Sequence, residues 1–152
     1  MSNNIIAVTI GDIKGIGIEI LIKFWKKNKR KNLILFSNSK ILKKYFIKNS
    51  IKINLNLINI NENKIYLKRN KLNIFSYECN SNEENTYKSL KYAYKFCNLK
   101  LCIGIINLPL RKDLIKEHLN KKFIGQTEYY QKIDKKKYSN MILFHKKIII
   151  SP

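Results

Sequence analysis

Short apolar runs alternate along this chain with segments whose apolar residues recur every three or four positions, and this alternation most constrains the fold. The runs have the length of β-strands and the periodic segments have the length of helices. The predicted strands are 4–10, 32–37, 51–60, 65–68, 72–77 and 102–107, and the predicted helices are 18–27, 41–48, 84–98, 111–119 and 126–133. Strands that alternate with helices predict an α/β fold, a layered and mostly parallel sheet with flanking helices.

Four segments allow finer predictions. Residues 102–107 form a nearly continuous apolar run, which is typical of a central parallel strand. The runs 65–68 and 72–77 are close enough to predict a hairpin, and residues 141–150 predict either a hairpin or one long strand with a turn at its Lys-Lys pair. Ser39 is the predicted N-cap of the helix that it precedes.

The domain organisation predicted from the sequence is a single α/β unit over residues 1–152. No internal repeat and no Pro/Gly/Ser-rich linker divides the chain, and its length suits one domain. Its last residues form an apolar strand, which predicts that the unit is truncated and formerly continued. Lysines interrupt every apolar run before the roughly 18 residues that a membrane span needs, and the first residues lack a signal peptide's basic start. We therefore expect a cytoplasmic protein without a membrane partner.

The net charge of +21 first points to nucleic acid, but the composition gives another explanation. Only three cations are Arg, the residue that pairs bidentately with phosphate. Lys, Ile and Asn (28, 27 and 20 residues) make up about half of the chain, as the codons of an AT-rich genome would produce. Nucleic acid is therefore not the expected partner, although a basic nucleic-acid-binding module is kept as an alternative.

The sequence offers no metal site. Cys79, Cys97 and Cys102 are odd in number and contain no CxxC pair, so reduced thiols are expected. His118 lies on a lysine-rich helix and His145 lies near a predicted turn, so neither is predicted to bind a metal.

Glycine is scarce, with five in 152 residues, and three of them lie between a predicted strand and a predicted helix. This segment, Gly11–Gly17, is either a tight turn or a ligand-facing loop, because the N–H groups at a helix N-terminus can bind an anion. Asp12 within it is either a ligand-facing carboxylate or a turn-capping residue.

Two further clusters follow later in the chain. Residues 107–112 come directly after the strand 102–107, where ligands bind in open α/β sheets. Arg111 and Lys112 there either contact a phosphate or belong to a solvated first turn. Residues 125–130 read GQTEYY, so Gln126 and Thr127 either present an amide and a hydroxyl to a ligand or form an ordinary helix cap.

Taken in order, the three clusters resemble the 4-hydroxythreonine-4-phosphate dehydrogenase family of vitamin B6 biosynthesis. Residues 9–19, TIGDIKGIGIE, are similar to the family motif T-x-G-D-P-A-G-I-G-P-E. Pro109 and Lys112 fit its P-x-x-K motif, and residues 125–130 fit G-H-T-E followed by aromatic residues. The resemblance covers about residues 5–145. In this chain Ile13 and Ile18 replace both prolines of the first motif, and Gln126 replaces the histidine of the third.

The resemblance implies an isocitrate/isopropylmalate dehydrogenase-like fold of which this chain is the N-terminal half. It implies oxidation and decarboxylation of a phosphorylated hydroxy-amino acid with NAD or NADP, a divalent metal and a homodimer. It places Gln126 and Thr127 at the substrate, and it makes Gly11, Asp12 and Lys112 candidates for a ligand-facing loop. The metal-binding histidines of the family lie beyond the matched region, so neither a catalytic residue nor a metal ligand is assigned.

Three hypotheses follow. The chain is the N-terminal half of such a dehydrogenase, as a decayed product or as half of a split enzyme with a complementary C-terminal half. Alternatively, it is a non-catalytic remnant that binds a phosphorylated ligand. The third hypothesis is the basic nucleic-acid-binding module.

Overall fold

The structure is a computed structural model that describes residues 4–28, 32–59 and 65–151. Five strands in this part of the chain form one sheet, and two more form a separate hairpin. In chain order, the elements are β1 (Ile6–Thr9), α1 (Ile16–Asn28), β2 (Leu33–Phe36), α2 (Ser39–Lys48), β3 (Leu55–Leu57), β4 (Leu72–Phe75), α3 (Asn82–Asn98), β5 (Gly104–Asn107), α4 (Lys112–His118), α5 (Gln126–Ile133), β6 (Leu143–His145) and β7 (Ile148–Ile150).

All neighbours in the five-stranded sheet are parallel, in the order β3-β4-β2-β1-β5, so the predicted α/β fold is confirmed. The chain leaves β1 toward β2 and later returns to the other side of β1 with β5. Neighbouring strands whose connections run in opposite directions create a crevice at their carboxyl ends, where ligands bind in this class of fold. The register sets Thr9 opposite Asn107 at that end of the sheet.

Alternate residues of the strands pack into two apolar layers, one on each face of the sheet. Val8 and Leu35 pack with Ile18 and Trp25 of α1 on one face. On the other face, Ala7, Ile34 and Phe36 of the sheet pack with Ala93 and Phe96 of α3. Each fully buried aliphatic or aromatic side chain contributes about 1.5–3 kcal/mol relative to exposure, so these layers hold the helices in place.

The predicted helices are present, and their ends differ from the predicted ends by at most two residues. The predicted N-cap of α2 is wrong. The N-cap is Asn38 rather than Ser39. The Asn38 Oδ1 atom accepts hydrogen bonds from the backbone N–H groups of Lys40 at 2.9 Å and Ile41 at 3.0 Å. Ser39 is already the first helical residue.

The predicted hairpin of 65–68 with 72–77 is wrong. Residues 65–68 form no strand, and β4 lies parallel between β3 and β2. The Asn73 side chain explains the difference, because it bonds the backbone of Lys68 on both sides. Asn73 Oδ1 accepts from the Lys68 N–H at 2.9 Å, and Asn73 Nδ2 donates to the Lys68 carbonyl at 3.2 Å. The Lys68 backbone is thus bound by a side chain instead of a neighbouring strand.

The strand predicted over 51–60 is shorter than its alternating pattern indicates, and residue 60 lies outside the described residues. Only Leu55–Leu57 pairs as a strand. Ile51 ends the turn after α2, where its N–H donates to the Phe46 carbonyl at 2.8 Å, and Ile51 and Ile53 pack beside α2.

Two predictions about apolar runs have different outcomes. Residues 141–150 form an antiparallel hairpin, with Lys146 at a φ of 51° in its turn. The run 102–107 contains the parallel strand β5, but its predicted central position is wrong among the described strands, because β5 has β1 as its one neighbour.

In the described ranges, no helix is long and apolar enough to cross a membrane.

Candidate functional site

The first glycine motif lies against the loop that follows β5. The Asp12 N–H donates to the Pro109 carbonyl at 2.8 Å, which joins the two loops at the carboxyl ends of β1 and β5. Gly11 has a φ of +60°, and a Cβ added there would lie 2.3 Å from the Pro109 oxygen. Both the left-handed backbone and the close approach therefore require glycine at this position.

Close packing continues at the start of α1. A Cβ added to Gly17 would lie 3.0 Å from atoms of both Leu108 and Pro109. The glycines at 11 and 17 thus serve the contact between two loops. Asp12 performs the turn function considered above, since its Oδ1 accepts from the Lys14 N–H at 2.9 Å.

The Asp12 side chain also faces a narrow cleft between three elements. The cleft is bounded by the loop after β1, the first turns of α3 and the loop before α4, and its lining residues are Asp12, Asn82, Glu83, Thr86, Arg111 and Leu114. Thr86 fixes the floor of this cleft because its hydroxyl donates to the Gly11 carbonyl at 2.5 Å. Nothing in the sequence of α3 singled out Thr86, since a threonine within a helix is an ordinary occurrence.

The charges around Arg111 are paired. Its guanidinium bonds Asp113, and this hydrogen bond raises the pKa of Arg111, with a smaller contribution from Asp12. The same bond lowers the pKa of the Asp113 carboxyl. Asp113 thus holds the Arg111 guanidinium. The next cation along the chain, Lys112, is exposed and is the first residue of α4.

The third motif begins beside the second. Gln126 Nε2 donates to the Leu108 carbonyl at 3.2 Å, which joins the start of α5 to the loop after β5. Gly125 is buried, and a Cβ added there would lie 3.1 Å from Lys112 Nζ and 2.7 Å from Glu128 Oε2. The Lys112 ammonium therefore lies over the first turn of α5, and Thr127 in that turn is exposed. A cation beside a helix N-terminus is suited to a phosphate, whereas the Glu128 carboxylate at the same turn opposes one.

A polar network fixes the position of α5 against the sheet. Asn107 Oδ1, at the end of β5, accepts from the Thr9 hydroxyl at 3.2 Å and from the Tyr130 hydroxyl at 2.8 Å. Burial raises the pKa of Tyr130, so this hydroxyl keeps its proton and remains a donor. The Tyr130 ring stacks on Tyr94 of α3. The aromatic residues of the third motif were the sequence signal for this contact of α5. The hydrogen-bond partner of Tyr130 was not evident from the sequence.

The residues do not fit the divalent metal that the resemblance implies. Across residues 4–28, 32–59 and 65–151, no group of three or more His, Cys, Asp or Glu side chains converges. His118 lies on α4 with Glu117 at 3.8 Å, and His145 lies at the end of β6. The three cysteines are free, and burial raises the pKa of the Cys102 thiol to about 12.

The fold and the site together define a parallel α/β protein with a candidate ligand site where β1 and β5 end. No family model matches the chain. A curated relative from Wigglesworthia glossinidia brevipalpis, named 4-hydroxythreonine-4-phosphate dehydrogenase, is 28% identical over 134 residues, which cover 82% of this chain and 40% of the relative. A relative of the same name from a Sulfurihydrogenibium species is 28% identical over 154 residues, which cover 96% of this chain and 48% of the relative.

Solved structures agree on the fold. The chain matches 4-hydroxythreonine-4-phosphate dehydrogenase structures from Salmonella typhimurium, with a TM-score of 0.83, and from Klebsiella pneumoniae, with a TM-score of 0.79. Each match has 17% sequence identity and covers 97% of this chain and 50% of the other. The resemblance to 4-hydroxythreonine-4-phosphate dehydrogenases is therefore confirmed over most of the chain, which spans about half the length of the relatives that it matches.

Proposed function

We propose that this chain supplies the substrate-binding half of an NAD(P)-dependent 4-hydroxythreonine-4-phosphate dehydrogenase of pyridoxal phosphate biosynthesis. The observation that carries the proposal is that three separate motifs, the first of them far from the other two in sequence, meet at the ends of β1 and β5. The bond from Asp12 N–H to Pro109 joins the first to the second, and the bond from Gln126 to Leu108 joins the second to the third.

Each side chain has a role that its chemistry supports. Lys112, together with the N-terminus of α5, attracts the substrate phosphate. The exposed hydroxyl of Thr127 and the amide of Gln126 bind polar groups of the substrate beside it. Asp12, half-buried behind the Gly11 turn, accepts from a substrate hydroxyl or ammonium group.

Gln126 changes what this site can do. A glutamine side chain donates and accepts hydrogen bonds, but it does not take up a proton near neutral pH as a histidine does. Gln126 therefore holds the substrate without moving a proton, and its Nε2 already donates to Leu108. The half described by these residues binds and orients its substrate, and no proton transfer is assigned to it.

Oxidation needs more than this half provides. Bound NAD(P) would accept the hydride from the substrate carbinol carbon. Because the described residues do not converge on a metal, no step through a metal is derived for them. In a split enzyme a second polypeptide completes the site, whereas in a remnant ligand binding remains without turnover.

Calorimetric titration tests the binding half of the proposal. The chain is titrated with 4-hydroxythreonine 4-phosphate and, separately, with NAD. We expect the phosphorylated substrate to bind, and we expect Thr127→Val and Lys112→Gln each to weaken its affinity by at least about tenfold, the effect of about 1.4 kcal/mol. Lys116→Gln, an exposed lysine one turn along α4, is the matched control and leaves affinity unchanged. A flat titration with the unmodified chain contradicts the proposal.

A separate assay distinguishes a split enzyme from a remnant. The chain is mixed with a polypeptide that corresponds to the second half of the Sulfurihydrogenibium relative, and NAD(P) reduction is followed by absorbance. Substrate-dependent reduction that needs both polypeptides supports a split enzyme. Binding without reduction in any mixture supports a remnant.

A further inference from the structure

We propose that the open side of β5 and an exposed apolar stripe on α1 together bind a polypeptide equivalent to the second half of the relatives, which extends the sheet by one strand. We call this region the β5 surface, and it comprises Gly104 and Ile106 of β5 with Ile16, Ile20 and Phe24 of α1. The choice of occupant rests on the proposed function, in which this chain acts as one half of an enzyme.

The edge of β5 lacks the usual protection. The strand has β1 on one side and no described strand on the other. Exposed edges are normally blocked by lysines, prolines or bulges, because their unpaired N–H and C=O groups invite another strand. Residues 101–110 contain no charged residue, although 27% of the chain is charged, and Pro109 comes only after the strand ends.

One face of β5 is also uncovered. Gly104 and Ile106 are paired with Ile6 and Val8, whose side chains pack on the face that α1 covers. Ile106 is nevertheless 48% exposed, whereas Val8 beside it is 2% exposed. Parallel sheets are normally covered on both faces, so the covering layer stops one strand short.

Gly104 points to a neighbour outside the described residues. A Cβ added to any of the other four glycines would lie within 3.3 Å of another atom, but a Cβ added to Gly104 would meet nothing within 4 Å. Glycine in a strand weakens it and often marks the close approach of another backbone. In a chain with so few glycines, the one at 104 is explained by a partner that packs over it.

The stripe on α1 continues this surface. Ile16, Ile20 and Phe24 recur every four residues and are exposed, so they line one side of the helix. Gly17, in the first turn of α1, packs on Leu108 and Pro109 just after β5. The start of α1 therefore lies beside the end of β5, and the stripe borders the uncovered strand face.

The length of the relatives and the charge of this chain identify the occupant. The matched regions cover 40% and 48% of the two curated relatives, so each relative contains at least as much chain again. A second copy of this chain suits the surface less well, because each copy carries +21 and the exposed Lys23 and Lys27 lie on α1 beside the stripe. The occupant is thus an apolar strand, with carboxylates placed to pair with these lysines.

Co-purification tests the proposal with matched variants. The full chain is co-expressed with the tagged second half of the Sulfurihydrogenibium relative, and the complex is measured by sedimentation velocity and by titration. We expect a one-to-one complex that Ile106→Lys weakens at least tenfold. Ile47→Lys, which changes an isoleucine on α2 that is 80% exposed, is the control and leaves the complex intact.

A second variant separates docking from folding. Because no described atom lies within 4 Å of a Cβ added at Gly104, Gly104→Phe should not lower the melting temperature of the free chain and should still weaken the complex at least tenfold. Hydrogen exchange of the Gly104 and Ile106 amides should slow in the complex. Equal effects of Ile106→Lys and Ile47→Lys overturn the proposal, and so does a homodimer of this chain that Ile106→Lys dissociates.

The outcomes differ from those of the proposed function. A complex that depends on Gly104 but binds no phosphorylated substrate supports the β5 surface and contradicts the proposed function. Substrate binding by the chain, with no complex in the sedimentation experiment, contradicts the β5 surface alone.

Discussion

The neighbouring strands β1 and β5 have similar sequences and different surroundings. Both are apolar runs, IAVT and GIIN, and both are followed by a loop that contributes to the candidate site. β1 has a strand on each side and helices over both faces, so Val8 is 2% exposed. β5 has one neighbour among the described strands, and Ile106 is 48% exposed. An apolar run therefore shows that a strand needs cover, but it does not show whether the same chain provides it.

The largest expected difference between the strands comes from placing a lysine in each. Val8→Lys buries an ammonium without a partner, so we expect it to lower the free energy of unfolding by more than about 4 kcal/mol. Ile106→Lys places the same group at a half-exposed position and should cost less than about 1 kcal/mol. Urea denaturation measures both, and equal losses would show that β5 is as enclosed as β1.

The next largest difference in the free energy of unfolding is expected between glycine substitutions in the two regions. Gly11→Ala forces a Cβ against the Pro109 oxygen at a φ of +60°. We expect it to lower the free energy of unfolding by about 2–4 kcal/mol. Gly104→Ala adds a Cβ in open space and should raise the free energy of unfolding by up to about 1 kcal/mol, because glycine is the more flexible residue when unfolded. A loss of stability at Gly104 would contradict the uncovered face.

Smaller effects are expected from the hydrogen bonds that hold each loop. Thr86→Val leaves the buried Gly11 carbonyl without its hydroxyl donor and should cost about 1–2 kcal/mol. Tyr130→Phe removes one of two donors to Asn107 Oδ1, so the Thr9 hydroxyl still satisfies that acceptor. We expect it to cost no more than about 1 kcal/mol, measured by thermal unfolding. If Tyr130→Phe lowered the stability more than Thr86→Val, the hydrogen bonds at the end of β5 would contribute more to stability than those of the Gly11 loop.

The effect that is smallest near neutral pH is the alkaline dependence at Cys102, just before β5. Burial raises the pKa of Cys102 to about 12, whereas an unfolded cysteine titrates near about 8.5. The unfolded chain loses this proton first. The stability that Cys102 contributes is therefore complete below about pH 8.5 and falls as pH rises toward about 12.

Denaturation at several pH values tests this contribution. Cys102→Ala should reduce the slope of stability against pH above about pH 8.5, and Cys79→Ala, at a half-buried position, should reduce it less. Equal slopes in the two variants would contradict a difference in burial. Alkylation at pH 8 should also modify Cys79 before Cys102, as mass spectrometry would detect.

Much of the fold could be predicted from local patterns, because each pattern reflects a local physical requirement. The apolar period of α3 and the apolar runs of β1 and β2 report burial, which follows directly from residue type. Long-range choices escaped these patterns. The parallel position of β4 depends on Asn73 binding the Lys68 backbone, and the α2 cap depends on whether Asn38 or Ser39 reaches the helix amides.

The candidate site was also predictable from the sequence only in part. Its motifs were evident because glycine is scarce and because Gly11, Asp12, Lys112, Gln126 and Thr127 fall into a recognisable order. Thr86 and the partner of Tyr130 were not evident, since hydrogen bonds between distant residues leave no trace in spacing. The resemblance predicted that these loops share a site, and the hydrogen bonds that join them are visible only in the structure.

The sequence alone determined the α/β class, the positions of most elements and the resemblance to a dehydrogenase half, because apolar patterning and motif order are properties of the chain itself. The tertiary structure decided that the three motifs meet and that β5 lies at an open edge. Those outcomes depend on which strands pair and which surfaces remain uncovered. They are set by contacts between residues as far apart as Thr9 and Asn107, so no local pattern contains them.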